Sequence, residues 1–105
     1  MTLDLPLFER RLLEARIRDI VSKYCLLNEI DLFFFGSRTD NTSQKHSDID
    51  IGLARKDGTP IENFVLIHDA VTHIDSMYKI DCVDFATVSD SFRTTALQSR
   101  ILFDT

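Results

Sequence analysis

Helices that alternate with short buried strands make this chain an α+β domain of α/β-like order, a sheet with helices packed on it. Three observations predict that class. A charged stretch carrying apolar residues at helical spacing opens the chain. Two short apolar runs, "IDLFFF" and "DIDIGLA", flank a polar segment. A second helical pattern then leads into a third apolar run, "KIDCVDF".

From about Leu5 to Tyr24, the residues Phe8, Leu12, Leu13, Ile17, Ile20, Val21 and Tyr24 recur at helical spacing. Glu9, Arg10, Arg11, Arg16, Arg18 and Lys23 fall on the other side, which reads as a solvated face. Ile30 to Phe35 is short and aromatic and stops at a glycine, so it reads as a buried strand. Thr39 to Ser47 is polar turn material with room for a short helix, and Asp48 to Ala54 returns to strand character. After the turn Lys56-Asp57-Gly58, Thr59-Pro60-Ile61-Glu62 has the composition of a capping box with proline at the first helical position. The helix expected there turns Ile61, Phe64, Val65, His68, Val71, Ile74 and Tyr78 to one side. Lys79 to Phe85 reads as a third strand. Ser89 or Asp90 then caps a last helix with Phe92, Ala96, Leu97 and Ile101 inward, and "ILFDT" is an apolar tail able to dock.

Composition narrows the function. The 105 residues read as one domain, 1–105. A net charge of -5 argues against direct, nonspecific nucleic-acid binding. An acidic chain can still bind phosphates through a divalent cation. Cys25 and Cys82 stand alone in apolar surroundings, the pattern of buried thiols in a reducing cytoplasm. No apolar run approaches the roughly 20 residues of a membrane span, and the N-terminus does not read as a signal peptide.

The candidate site lies in "FFFGSRTDNTSQKHSDIDIGL". Residues two apart on a strand face the same way, so Asp48 and Asp50 share one face while Ile49, Ile51 and Leu53 enter the core. Side by side, the two carboxylates repel, and a divalent cation such as Mg²⁺ resolves the conflict. Gly36 and Ser37 end the preceding strand, where backbone N–H groups and a hydroxyl can hold phosphate oxygens, and Arg38 adds a cation suited to phosphate. Asp81 is the first choice for a third carboxylate and Asp84 the second; their parity differs, so a regular strand cannot aim both at one metal. An EF-hand is excluded, because Leu53 stands where its loop needs glycine. His46 could assist at the loop; His68 reads as a core or interface residue and His73 as solvent-facing.

Gly36-Ser37, ten residues from Arg38 to Ser47, then Asp48-Ile49-Asp50 resembles the "GS, ten residues, DxD" signature of minimal nucleotidyltransferases (MNT) of the DNA polymerase β-like superfamily. The resemblance runs from Ile30 to the last helix. It implies the nucleotidyltransferase fold, a small mixed sheet of three to four strands flanked by helices. Further, it implies that Gly36 and Ser37 grip nucleotide phosphates, with Arg38 in support, and that Asp48, Asp50 and Asp81 are catalytic and ligate two Mg²⁺ ions. Small members of the group are antitoxins paired with HEPN ribonuclease toxins. The implied activity is transfer of AMP from ATP to a tyrosine of such a toxin, with assembly into a hetero- or homo-oligomer among the expectations. Two alternatives stand beside it: an antitoxin that works by binding alone, and a transferase acting on a small molecule or an RNA end.

Overall fold

A computed structural model describes residues 3–39 and 48–104. Helix α1 (Leu7–Ser22) leads through a 3-10 turn (Leu27–Glu29) into strand β1 (Ile30–Phe35). Strand β2 (Ile49–Arg55), helix α2 (Phe64–Thr72), strand β3 (Ile80–Asp84), helix α3 (Asp90–Leu97) and strand β4 (Ile101–Leu102) follow. The sheet runs β3-β2-β1-β4. β1 pairs antiparallel with β2 and β4, while β2 and β3 are parallel. The mixed α+β architecture expected from the sequence is the one observed.

Both faces of the sheet are covered, which accounts for three consecutive phenylalanines in β1. Leu32 and Phe34 share the larger core with Ile49, Ile51 and Leu53 of β2, Ile80 and Cys82 of β3, Leu13, Ile17 and Val21 of α1, and Ile67 and Val71 of α2. On the opposite face Phe33 and Phe35 join Phe85 and Ala96 in a smaller cluster under α3. Phe85 stands edge-on to both, with ring centroids 4.9 Å from Phe33 and 5.1 Å from Phe35. A Cβ at Gly52 would run into the Phe33 and Phe85 rings, so a bare backbone at that point of β2 is what lets them meet.

Helix α1 differs from its apolar pattern. Leu13, Ile17 and Val21 are buried, yet Phe8 is 76% exposed and Leu12 46%. Glu14 takes a buried place instead, at 2% exposure. Its Oε2 accepts from Arg10 Nε at 3.1 Å and from the Asp104 amide at 3.1 Å. Arg10 also lies over the Phe34 ring and Arg18 over that of Phe103, so part of the expected wet face is a clamp on the C-terminal segment.

The capping box does not form. Asp57 Oδ1 accepts from both the amide and the hydroxyl of Thr59, at 3.0 and 2.6 Å. The Ile61 amide donates to Asp84 Oδ2 at 2.9 Å. With those groups engaged, α2 begins only after Asn63, which adopts φ 60, a left-handed conformation asparagine tolerates. Ser89 does cap α3, accepting from the Phe92 amide at 3.2 Å. That helix ends at Leu97, and Ile101 belongs to β4, not to the helix. The free edge of β1 explains why: its ladder groups need partners, which β4 and the Phe103 amide, donating to the Leu32 carbonyl at 3.0 Å, supply.

Candidate active site at the Gly36 turn and the Asp50–Asp81 pair

The register of β2 builds the site. Asp50 pairs with Phe35 of β1 on one side and with Asp81 of β3 on the other. Alternation sends Ile49, Ile51 and Leu53 into the larger core, each at 1% exposure or less. Asp50 and Asp81 therefore point to the α3 side, and both line a cavity of about 440 Å³ with Phe35 and Gly36. The far wall is α3 and the turn after it, through Phe92, Thr95, Ala96 and Ser99.

Gly36 sits where β1 ends and the chain bends with φ 83, a left-handed value that favours glycine. It also faces Asp50: a Cβ at this position would lie 2.5 Å from Asp50 Oδ2. The turn is tied down by Thr39, whose amide and hydroxyl both donate to the Gly36 carbonyl, at 3.0 and 2.8 Å. Thr39 Oγ1 is also 3.2 Å from Ser99 Oγ, linking the turn to the end of α3. Neither Thr39 nor Ser99 carries a motif that marks it in the sequence.

Asp48, exposed, directly precedes β2. Burial pushes the Asp50 carboxyl up to about 6, and the charges of Asp48 and Asp81 push it in the same direction. Burial first, and then two neighbouring carboxylates, make Asp50 reluctant to ionise; the Asp48 part of this is the repulsion read from the sequence.

Asp81 and Asp84 separate as their parity requires. Asp84 is 3% exposed and turned away from the cavity. It accepts from the Ile61 amide at 2.9 Å and the Ala86 amide at 3.0 Å, which ties the end of β3 to the segment before α2 and to the turn that follows the strand. Asp81 Oδ1 accepts from its neighbour's amide, Cys82 N, at 2.9 Å and lies 3.0 Å from His68 Nε2. His68, expected in the core or an interface, is therefore half-exposed against a site carboxylate. His73 faces solvent, and His46 lies outside the described residues.

Arg38 departs from the phosphate role expected of it. It is 5% exposed, donates to the Asp4 carbonyl at 2.7 Å and lies 4.8 Å from the centre of the Tyr78 ring. This guanidinium fastens the N-terminal segment rather than lining the cavity. Ser37, next to Gly36, is partly exposed.

Both cysteines are unpaired, and burial pushes the Cys82 thiol up to about 12, with Asp81 adding to the effect. A more apolar hollow of about 360 Å³ lies between α1 and the segment after α2, at Phe8, Leu12, Ile74 and Met77. Its two carboxylates, Glu9 of α1 and Asp75 after α2, do not stand on paired strands, so the chemistry favours the Asp50–Asp81 cavity. Among the described residues no helix is long and apolar enough to cross a membrane.

Comparison with known proteins bears on the fold and the family. The chain is similar to a solved toxin–antitoxin structure with AMP-PNP, at 19% identity and a TM-score of 0.61 over 87% of this chain and 72% of that one. It is also similar to a chain in the complex of a tri-AMPylated Shewanella oneidensis HEPN toxin with an MNT antitoxin, at 17% identity and a TM-score of 0.60, covering 90% of this chain and 71% of that one. Those likenesses show the fold. No curated protein matches the chain in sequence. Residues 13–105 match the family model "Polymerase beta, Nucleotidyltransferase". With that match over most of its length, the chain belongs to the polymerase β nucleotidyltransferase family.

Proposed function

We propose that this protein is an Mg²⁺-dependent nucleotidyltransferase that moves AMP from ATP to a hydroxyl, and that its acceptor is a tyrosine of a helical HEPN toxin it neutralises in the cytoplasm. The observation that carries the reading is the contact of the Gly36 turn with Asp50, beside Asp81 on the paired strand. Family membership supports the reaction class. The two toxin–antitoxin structures it resembles, one holding AMP-PNP and one a tri-AMPylated toxin, support the donor and the acceptor.

Among the described residues no three His, Cys, Asp or Glu side chains gather closely enough to hold a cation alone. The donors are hard carboxylate oxygens, and Asp50 is raised first by burial and then by the charges of Asp48 and Asp81. That set fits Mg²⁺, which keeps its waters and completes its shell with substrate phosphates. Asp50, Asp48 and Asp81 are the residues that would hold it. When bound, such ions neutralise phosphate charge and ease ionisation of the attacking hydroxyl.

The chain's own residues supply the placement. Gly36, lacking a side chain, leaves its backbone free to approach the triphosphate, and Ser37, the next residue, would offer its hydroxyl to a phosphate oxygen. The cavity wall of Phe35 and Phe92 offers apolar surface to the nucleoside. In the reaction the acceptor oxygen bonds to the α-phosphorus, the bond to the departing pyrophosphate breaks, and the hydroxyl proton is lost to solvent.

Incubation of the protein with labelled ATP, Mg²⁺ and the product of the adjacent gene tests the reading. Label on the partner, lost in Asp50→Asn and Asp81→Asn, is the expected result. Equal labelling by Asp50→Asn removes the assigned site. Full growth rescue by a double aspartate variant, with no label from the native protein, points to neutralisation by binding alone.

A further inference from the structure

The contact between His68 and Asp81 is not part of the signature that brought Asp81 into the site. β3 is the outer strand of the sheet, and α2 packs on the face opposite the cavity through Ile67 and Val71. A side chain on α2 would ordinarily be cut off from a residue on the cavity face. At a sheet edge it is not, and His68, one turn after Phe64 and beside Ile67, reaches around β3 to place Nε2 3.0 Å from Asp81 Oδ1.

We infer that His68 is a positioning residue, which fixes the rotamer of Asp81 and aims the carboxylate's second oxygen at the cavity. The inference rests on the transferase reading above. Asp81 stands directly beside Asp50 in the parallel ladder, at the roughly 5 Å spacing of neighbouring strands. Two like-charged side chains so placed gain by swinging apart. Oδ1 is held against such a swing by two donors, the Cys82 amide from the backbone and the His68 ring from the helix. Oδ2 has no hydrogen-bond partner among the described residues, so it is the oxygen left for a cation. Toward an ionised carboxylate Nε2 can only donate, which fixes the imidazole tautomer and leaves Nδ1 unprotonated in the neutral ring. Hydrogen bonds of this kind to metal-binding carboxylates govern affinity as well as rate.

The test uses the full chain with Mn²⁺ as the probe, its binding followed by electron paramagnetic resonance. His68→Ala is expected to weaken Mn²⁺ binding about tenfold, with kcat for AMP transfer falling in step and KM for ATP little changed. His68→Gln, whose amide nitrogen reaches where Nε2 was, recovers most of both. The thermal midpoint of metal-free His68→Ala stays at the native value, because the ring is half-exposed. Native affinity and native kcat in His68→Ala, beside lost binding in Asp50→Asn, overturn this inference and leave the transferase reading standing. Equal losses in His68→Ala and His68→Gln also overturn it. No Mn²⁺ binding by the native protein overturns both.

Discussion

Gly36 and Asp50 meet so closely that position 36 has no room for a side chain, since a Cβ there would lie 2.5 Å from Asp50 Oδ2. The turn that offers backbone to a phosphate and the carboxylate that offers oxygen to a cation are held in one contact. Thr39 reinforces it by closing both of its donors onto the Gly36 carbonyl.

Gly36→Ala should therefore act twice. The left-handed backbone at φ 83 becomes strained, which costs about 1–3 kcal/mol, and Asp50 must move away. Urea unfolding should show the lower midpoint with an unchanged slope. AMP transfer at a temperature where the variant is fully folded should fall by about a hundredfold, the scale of a small misplacement of reacting groups. Native transfer would dissociate the turn from the chemistry.

Asp50 makes the metal-free protein pH-sensitive. Its carboxyl is raised from 3.8 to about 6 in the fold, so between those values the native state holds a proton that the unfolded chain has released. Stability from this group is full below the lower value and is lost as pH rises through about 6. Thermal scans in chelator should give a lower midpoint at pH 7.5 than at pH 5.5. Asp50→Asn should raise the midpoint at pH 7.5 and flatten that difference. Added Mg²⁺ should stabilise the native protein at pH 7.5 and not the variant.

Asp84 and Asp81 should part company under substitution. Removing Asp84 leaves the buried amide of Ile61 and the part-buried amide of Ala86 without their acceptor, a loss of about 1–3 kcal/mol for the buried group and less for the other. Asp84→Ala should unfold at markedly lower denaturant yet keep its transfer rate per folded molecule. Asp81→Asn should do the reverse, with near-native stability and no transfer. Calorimetry and a transfer assay on the same preparations decide between them.

Glu14 should matter at the far end of the chain. Its buried carboxylate joins Arg10 of its own helix to the Asp104 amide. Glu14→Ala should cost about 1–3 kcal/mol and speed hydrogen exchange at Ile101–Phe103, where β4 closes the edge of β1. Unchanged protection there would place the anchoring of β4 wholly in Phe103 and its stacking on Phe34.

Strand parity made much of this site legible from the sequence. A period of two places Asp50 opposite Ile49 and Ile51, and the same rule, applied to "IDCVD", allows Asp81 or Asp84 into the site but not both. Such local geometry depends on the backbone alone. Other features depend on which residues happen to meet across the fold. Glu14 looks like any polar residue on a helix until the C-terminal segment returns to cover it. Thr59 has the composition of a cap, yet Asp57 takes its donors first. Arg38 follows the Gly-Ser pair like a phosphate ligand, yet the carbonyl of Asp4 and the ring of Tyr78 claim it. His68 reaches Asp81 only because β3 is an edge strand, a fact of sheet order that no spacing records. Short-range periodicity determined the strands, the Asp50 face and the family signature. The tertiary structure decided which polar groups found partners, because hydrogen bonds between segments far apart in sequence depend on packing and not on pattern.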